Sequence, residues 1–268
     1  MTEPLLQVEN LSKRFGGIVA TDGLSLDVRP GELHALIGPN GAGKTTLITQ
    51  LTGQLTPDSG RIGFAGEDIS RMPAYRRSIL GLARSFQITS LFLDMSVLDN
   101  VALAVQAHAG HSFRFWRPAR QERDLREPAR AALAQVGLSD RLEARTSALS
   151  HGEHRLIEIA MALAGRPRLL LLDEPMAGLG PEESARMVEL LRALKRDYAV
   201  LLVEHDMEAV FALADRITVL VYGRAIASGG PDEIRGNEEV RRAYLGEQKR
   251  PGAAGGQTGG GLGGGGHG

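Results

Sequence analysis

Hydrophobic and polar positions along this chain repeat with two periods. Leu24-Ser25-Leu26-Asp27-Val28 alternates, as a strand with one buried face does. With Leu5 to Phe15 before it, the pattern predicts strands over 5–15 and 21–28, separated by a Gly16-Gly17 turn. Leu33 to Ile37, Leu169 to Leu172 and Val200 to Val203 are short apolar runs, suited to parallel strands covered on both faces. Further short strands are expected over 60–64, 217–220 and 224–228. The helical period appears over 46–53, 74–82 and 155–164, the last with Leu156, Ile159 and Leu163 as its stripe. It appears again over 181–195, where Met187, Leu190, Leu191 and Leu194 share a face and Glu182 and Glu183 favour the N-terminal end. Helix formers dominate from about Leu91 to Ala164, which reads as a helical insertion in an α/β chain. Pro251 to Gly268 is nearly all glycine and small residues, too poor in apolar surface to fold.

Composition narrows the classes. At 268 residues the chain can bury a full core. Lys+Arg 31 against Asp+Glu 32 leaves a net charge of −1, which gives no reason to expect nucleic acid as the main partner. There is no cysteine, so disulfides and thiolate metal sites are excluded. No secretory signal opens the sequence, and no apolar stretch could span a bilayer. A cytosolic protein is expected, acting on any membrane from one side.

The sharpest chemical signal is Gly38-Pro39-Asn40-Gly41-Ala42-Gly43-Lys44-Thr45, followed by Thr46. It matches the phosphate-binding loop G-x-x-x-x-G-K-[ST], set between a predicted strand and a predicted helix. Glycines let backbone N–H groups turn toward phosphate oxygens, and the helix N-terminus adds unpaired donors. Lys44 is placed to reach the β- and γ-phosphates, and the Thr45 hydroxyl to ligate magnesium. A nucleoside triphosphate, with Mg2+, is the expected ligand. Leu169 to Leu172 then ends in Asp173-Glu174. The first acid is positioned to hold magnesium and the second to orient an attacking water, a division that suits phosphoryl transfer. Leu149-Ser150-His151-Gly152-Glu153 precedes a helix, so Ser150 and the Gly152 backbone are expected at another helix N-terminus suited to an anion.

These segments, in this order, resemble ATP-binding cassette (ABC) proteins over roughly residues 5 to 245. Gln87 matches that family's Q-loop glutamine, His205 in Val203-Glu204-His205-Asp206 its switch histidine, and Phe15 the aromatic on which adenine stacks. The resemblance implies a RecA-like P-loop core with an antiparallel β-subdomain and an inserted helical subdomain at about 90–160. The cassette would occupy 1–248, and 249–268 would be a disordered tail. It implies ATP hydrolysis in a head-to-tail dimer with itself or a homologous ATPase. Each site would combine Lys44, Thr45, Gln87, Asp173, Glu174 and His205 of one chain with Ser150 and Gly152 of the other, with Thr45, Gln87 and Asp173 around magnesium. Two departures stand out. His151 and Glu153 replace the usual glycine and glutamine of the signature segment, and Gly180 stands where most relatives have aspartate.

Gly81 to Gln87, Leu98 to Val101, Leu156 to Ala160, Met176 to Leu179 and Arg242 to Glu247 resemble in particular the ATPases of branched-chain amino-acid importers. That implies transmembrane permease partners, a periplasmic binding protein acting indirectly, and a peripheral place on the cytoplasmic face of the inner membrane. Urea or amide importers, lipopolysaccharide-type exporters and soluble ABC ATPases remain open alternatives. Three other features suggest less. Arg71, Arg76, Arg77 and Arg84 read as a solvated helix face. The aromatic segment His111 to Pro118 reads as packing. His151 and His154 lack a third metal ligand.

Overall fold

A computed structural model of the chain describes residues 3–85, 91–108 and 123–245. Strands β1 (Leu6–Phe15) and β2 (Ile18–Val28) form the predicted hairpin. The second strand starts earlier than expected because Ile18 pairs with Phe15 directly across the two-glycine turn. After β3 (Leu33–Ile37) and α1 (Lys44–Leu51), strands β4 (Ser59–Phe64) and β5 (Glu67–Asp68) complete an antiparallel sheet in the order β2-β1-β4-β5.

Helix α2 (Ala74–Ile79) is shorter than its period suggested. The chain breaks at Gly81 and continues as β6 (Leu82–Arg84), which pairs in parallel with β7 (Leu169–Asp173). Then follow α3 (Val97–His108), α4 (Arg123–Gln135) and α5 (His151–Ala164), which pack on one another. The α/β alternation resumes through α6 (Pro181–Leu194), β8 (Ala199–Val203), α7 (Met207–Leu213), β9 (Arg216–Val221) and β10 (Arg224–Gly229). Two short helices, α8 (Pro231–Gly236) and α9 (Glu238–Val240), and a π-helical turn at Arg241–Leu245 close the described chain. The second sheet runs β10-β9-β3-β8-β7-β6, parallel except for β10. The fold is thus an α/β core with an antiparallel sheet and a helical insertion.

The central parallel strands are largely apolar because both faces are covered, and their pleat divides the core in two. Leu170, Leu172, Val200 and Leu202 face the cluster that contains α5, α6 and α7. Leu169, Leu171, Leu201 and Val203 face the cluster that contains α1 and the antiparallel sheet. His34 is the exception on β3. It is fully buried, its Nδ1 is 2.8 Å from the Asp27 carbonyl oxygen and its Nε2 is 2.7 Å from Thr218 Oγ1. Burial lowers its pKa to about 4.

The four arginines do not share a solvated face. Arg71 and Arg76 are exposed, but Arg77 is buried and donates to the Gln50, Leu51, Met72 and Ser70 carbonyls, closing the C-terminal end of α1. Arg84 lies on β6 and forms an ion pair with Asp173. The stripe on α5 is also broader than predicted, since Ile157, Ile159, Ala160 and Leu163 are all buried and Leu156 only half so. Helix α5 packs on both the sheet side and α3–α4. Among the described residues no helix is long and apolar enough to cross a membrane. The aromatic segment His111 to Pro118, Gln87 and the glycine-rich end lie outside the described residues.

Candidate functional site

The phosphate-loop segment leaves β3 at Ile37 and re-enters helix at Lys44. It is wedged between two strands. A methyl group on Gly38 would lie 2.1 Å from the Leu220 carbonyl oxygen, and one on Gly43 would lie 2.2 Å from that of Ala20. Both residues have positive φ, 156° and 103°, so glycine is required on steric and conformational grounds together. Gly43 is also the N-cap of α1 and has no side chain with which to bind the first-turn amides. Lys44 is nearly buried and arches back so that Nζ donates to the Gly38 and Pro39 carbonyls at 2.6 and 3.1 Å. Burial lowers the lysine pKa, and the negative charges of Glu174 and Asp173 oppose that shift. Thr45 is exposed at the start of the helix, Thr46 half-buried beside it.

Asp173 ends β7 with its side chain 2% exposed, and Arg84 Nη2 donates to Oδ2 at 3.0 Å. Burial raises the aspartate pKa against the pull of Arg84. Glu174 follows in the left-handed region, φ 50°, with its N–H on the Val203 carbonyl at 2.8 Å. His205 Nδ1 stands 3.8 Å from Glu174 Oε1. Strands β3, β8 and β7 are neighbours and run parallel, so Lys44, His205 and Asp173-Glu174 emerge at the same sheet edge. Phe15, half exposed at the hairpin tip, has Lys13 Nζ 5.8 Å from its ring centroid.

Sequence reasoning missed Glu204. It is 1% exposed and accepts from the backbone N–H groups of Met176, His205 and Asp206 at 3.0, 3.0 and 3.4 Å. An acid wedged between an apolar strand and a candidate histidine was the available signal.

Ser150 and Gly152 sit where expected, at the N-terminus of α5, but face α6 of the same chain. Ser150 caps the helix through the Glu153 N–H at 3.2 Å, and Glu153 returns the bond to the Ser150 N–H at 2.9 Å. Glutamate at 153 therefore completes a capping box. Glu183 Oε1 accepts from Ser150 Oγ at 3.3 Å and lies 2.5 Å from where a methyl on Gly152 would stand. Glu183 Oε2 also accepts from the Gly180 N–H at 3.3 Å. His154 Nε2 donates to the Thr146 carbonyl at 2.7 Å, and His151 lies against Gly178.

Beside this site, α1, α2, β6, α3 and α5 enclose a groove of about 700 Å³, lined among others by Thr45, Thr49, Ser78, Arg84, Leu103 and Met161.

Known proteins share this architecture and sequence. The family described as ABC transporter matches residues 21–177, and the one described as branched-chain amino acid ATP-binding cassette transporter matches 226–250. The chain is 39% identical to the high-affinity branched-chain amino acid transport ATP-binding protein BraF of Pseudomonas aeruginosa, covering 92% of this chain and 100% of that one. It is 38% identical to LivG of Escherichia coli K12, a protein of the same description, with the same coverage. Among solved structures, the ADP conformation of an ATP-binding cassette of an ABC transporter superposes with a TM-score of 0.81 at 30% identity, covering 91% of this chain and 100% of that one. A nucleotide-free ATP-binding cassette gives 0.77 at 31%, covering 91% and 96%.

Proposed function

The chain belongs to the ABC transporter family as one of its ATP-binding, ATP-hydrolysing subunits, and on that premise we propose that it powers the uptake of branched-chain amino acids. The observation that carries the catalytic part is the convergence of Lys44, Asp173-Glu174 and His205 at one edge of the parallel sheet. The match over 226–250 and the BraF and LivG relatives support the solute class.

In this reading the Gly38–Gly43 amides and Lys44 hold the phosphates, with Pro39, Asn40, Ala42 and Thr46 completing the loop and helix start, and Phe15 stacks on adenine. The site fits a divalent cation, since Asp173 is a buried carboxylate that already draws a positive group to 3.0 Å. Thr45, Gln87 and Asp173 would hold magnesium, which neutralises charge on the β- and γ-phosphates when bound. Glu174 orients the attacking water and His205 holds the γ-phosphate beside it. Ser150 and Gly152 complete the site of a second ATPase chain, itself a copy or a homologue, in a head-to-tail dimer.

The cassette spans 1–248, with its helical part at about 90–160. Permease subunits dock at the groove that opens beside Thr45 and Arg84, and this keeps the chain peripheral on the cytoplasmic face of the inner membrane. A periplasmic binding protein supplies the solute to those permeases.

The test is purification from gently solubilised membranes, followed by ATPase assays of the recovered complex. Two permeases and a second ATPase should co-purify, and turnover should rise with binding protein loaded with leucine, isoleucine or valine. Stimulation by urea alone would move the solute class. In Glu174→Gln, ATP should bind while turnover falls about 10²- to 10⁴-fold, the usual contribution of a positioned general base. Wild-type turnover in that variant would remove Glu174 from the chemistry.

A further inference from the structure

We infer that Glu204 is a positioning residue that sets the distance between Glu174 and His205, so that it governs turnover without governing nucleotide affinity. This rests on the roles proposed above for those two residues.

The inference starts from what a buried carboxylate needs. A carboxyl group at 1% exposure must have its oxygens bonded by donors. Its donors are backbone N–H groups, and they come from two different loops. Oε1 takes the N–H of Met176, two residues past Glu174. Oε2 takes those of His205 and Asp206. One side chain therefore ties the loop after β7 to the loop after β8. A second tie lies next to it, where the Glu174 N–H reaches the Val203 carbonyl. Residues 203 and 204 thus clasp the segment 174–176 at both ends.

Between the two ties Glu174 occupies the left-handed region, which a glutamate adopts only when its surroundings hold it there. The His205 side chain is mostly exposed, and its Nδ1 lies between two carboxylates, 3.8 Å from Glu174 Oε1 and 3.9 Å from Glu204 Oε2. Glu204 holds the His205 backbone by a hydrogen bond and faces its ring with the same oxygen. The Glu204 hydrogen bonds reach neither the Gly38–Gly43 segment nor Lys44, the groups proposed to carry most of the phosphate binding, so affinity should depend on it far less than turnover does.

The test uses the full chain with Glu204→Gln and Glu204→Asp. Glutamine turns an NH2 donor toward one of the N–H groups, so it can keep only one loop tied. Aspartate keeps the charge but is a methylene too short to reach both. We expect either variant to lower kcat about 10- to 100-fold, the scale of an ångström-level misplacement of reacting groups. The Kd for ATP should stay within about twofold, as an interaction outside nucleotide binding requires. Hydrogen exchange at the backbone amides should accelerate in the loop that each variant releases, 174–177 or 203–206. Wild-type kcat in both variants, a parallel loss of kcat and affinity, or unchanged exchange in both loops would each overturn the inference. The exchange measurement needs no turnover, so it tests the tie even if the catalytic assignment of Glu174 fails.

Discussion

Two helices in this chain begin at segments suited to an anion, and they begin differently. Helix α1 starts at Gly43, which has no side chain to offer its first amides, with Lys44 folded over the loop above them. Helix α5 starts at Ser150 inside a complete capping box, and a second carboxylate, Glu183, lies against Ser150 and Gly152. The first terminus is open to a phosphate. The second has the Ser150 hydroxyl and the Ser150 and Glu153 amides engaged within the chain, so an outside anion must compete with contacts already made there. A single subunit should therefore bind nucleotide well through α1 and use α5 only in a dimer.

That contrast can be broken at several points. Lys44→Ala should weaken ATP binding about 10- to 100-fold, the worth of a charge-assisted hydrogen bond to phosphate. Titration of the isolated chain reads it, and unchanged affinity would put the phosphates elsewhere. Ser150→Ala should leave that titration unmoved while losing about 1 kcal/mol of stability from the lost cap. It should also weaken ATP-dependent dimerisation, measured by light scattering in the Glu174→Gln background. Glu183→Gln should act oppositely, tightening dimerisation several-fold, about the effect of one partly exposed charge contact. A weaker dimer would mean that the carboxylate orders the α5 terminus rather than competing for it. The smallest effect is expected at Arg84→Met. Removing a cation 3.0 Å from Asp173 should lower the magnesium concentration needed for half-maximal binding of a fluorescent ATP analogue by a few-fold. A higher requirement would make Arg84 a support for Asp173, not its competitor.

Much of this was legible in the sequence, for a physical reason. The phosphate loop, the strand ending in Asp173-Glu174 and the capping-box serine are each defined by residues adjacent in the chain. Short-range rules therefore reach them. The segment Leu82–Arg84 shows where such rules stop. Its apolar residues suit helix or strand equally, and only pairing with β7 decides. The same holds for Arg77, which reads as a surface arginine until the carbonyls of α1 are brought to it. Glu183 and Glu204 are plain acids in sequence, and each acquires its meaning from a loop far along the chain. Gly180, the other departure, is the N-cap of α6 with an ordinary φ of −73°.

The split pleat of the parallel sheet makes that sheet a wall between two compartments with separate mechanical fates. A cavity cut at Leu171 opens toward the antiparallel hairpin, and one cut at Leu170 opens toward the helices that carry the α5 terminus. Each should cost about 2–5 kcal/mol. Softening one compartment leaves the other filled. Neighbouring codons on one strand thus offer independent handles on nucleotide capture and on dimer closure.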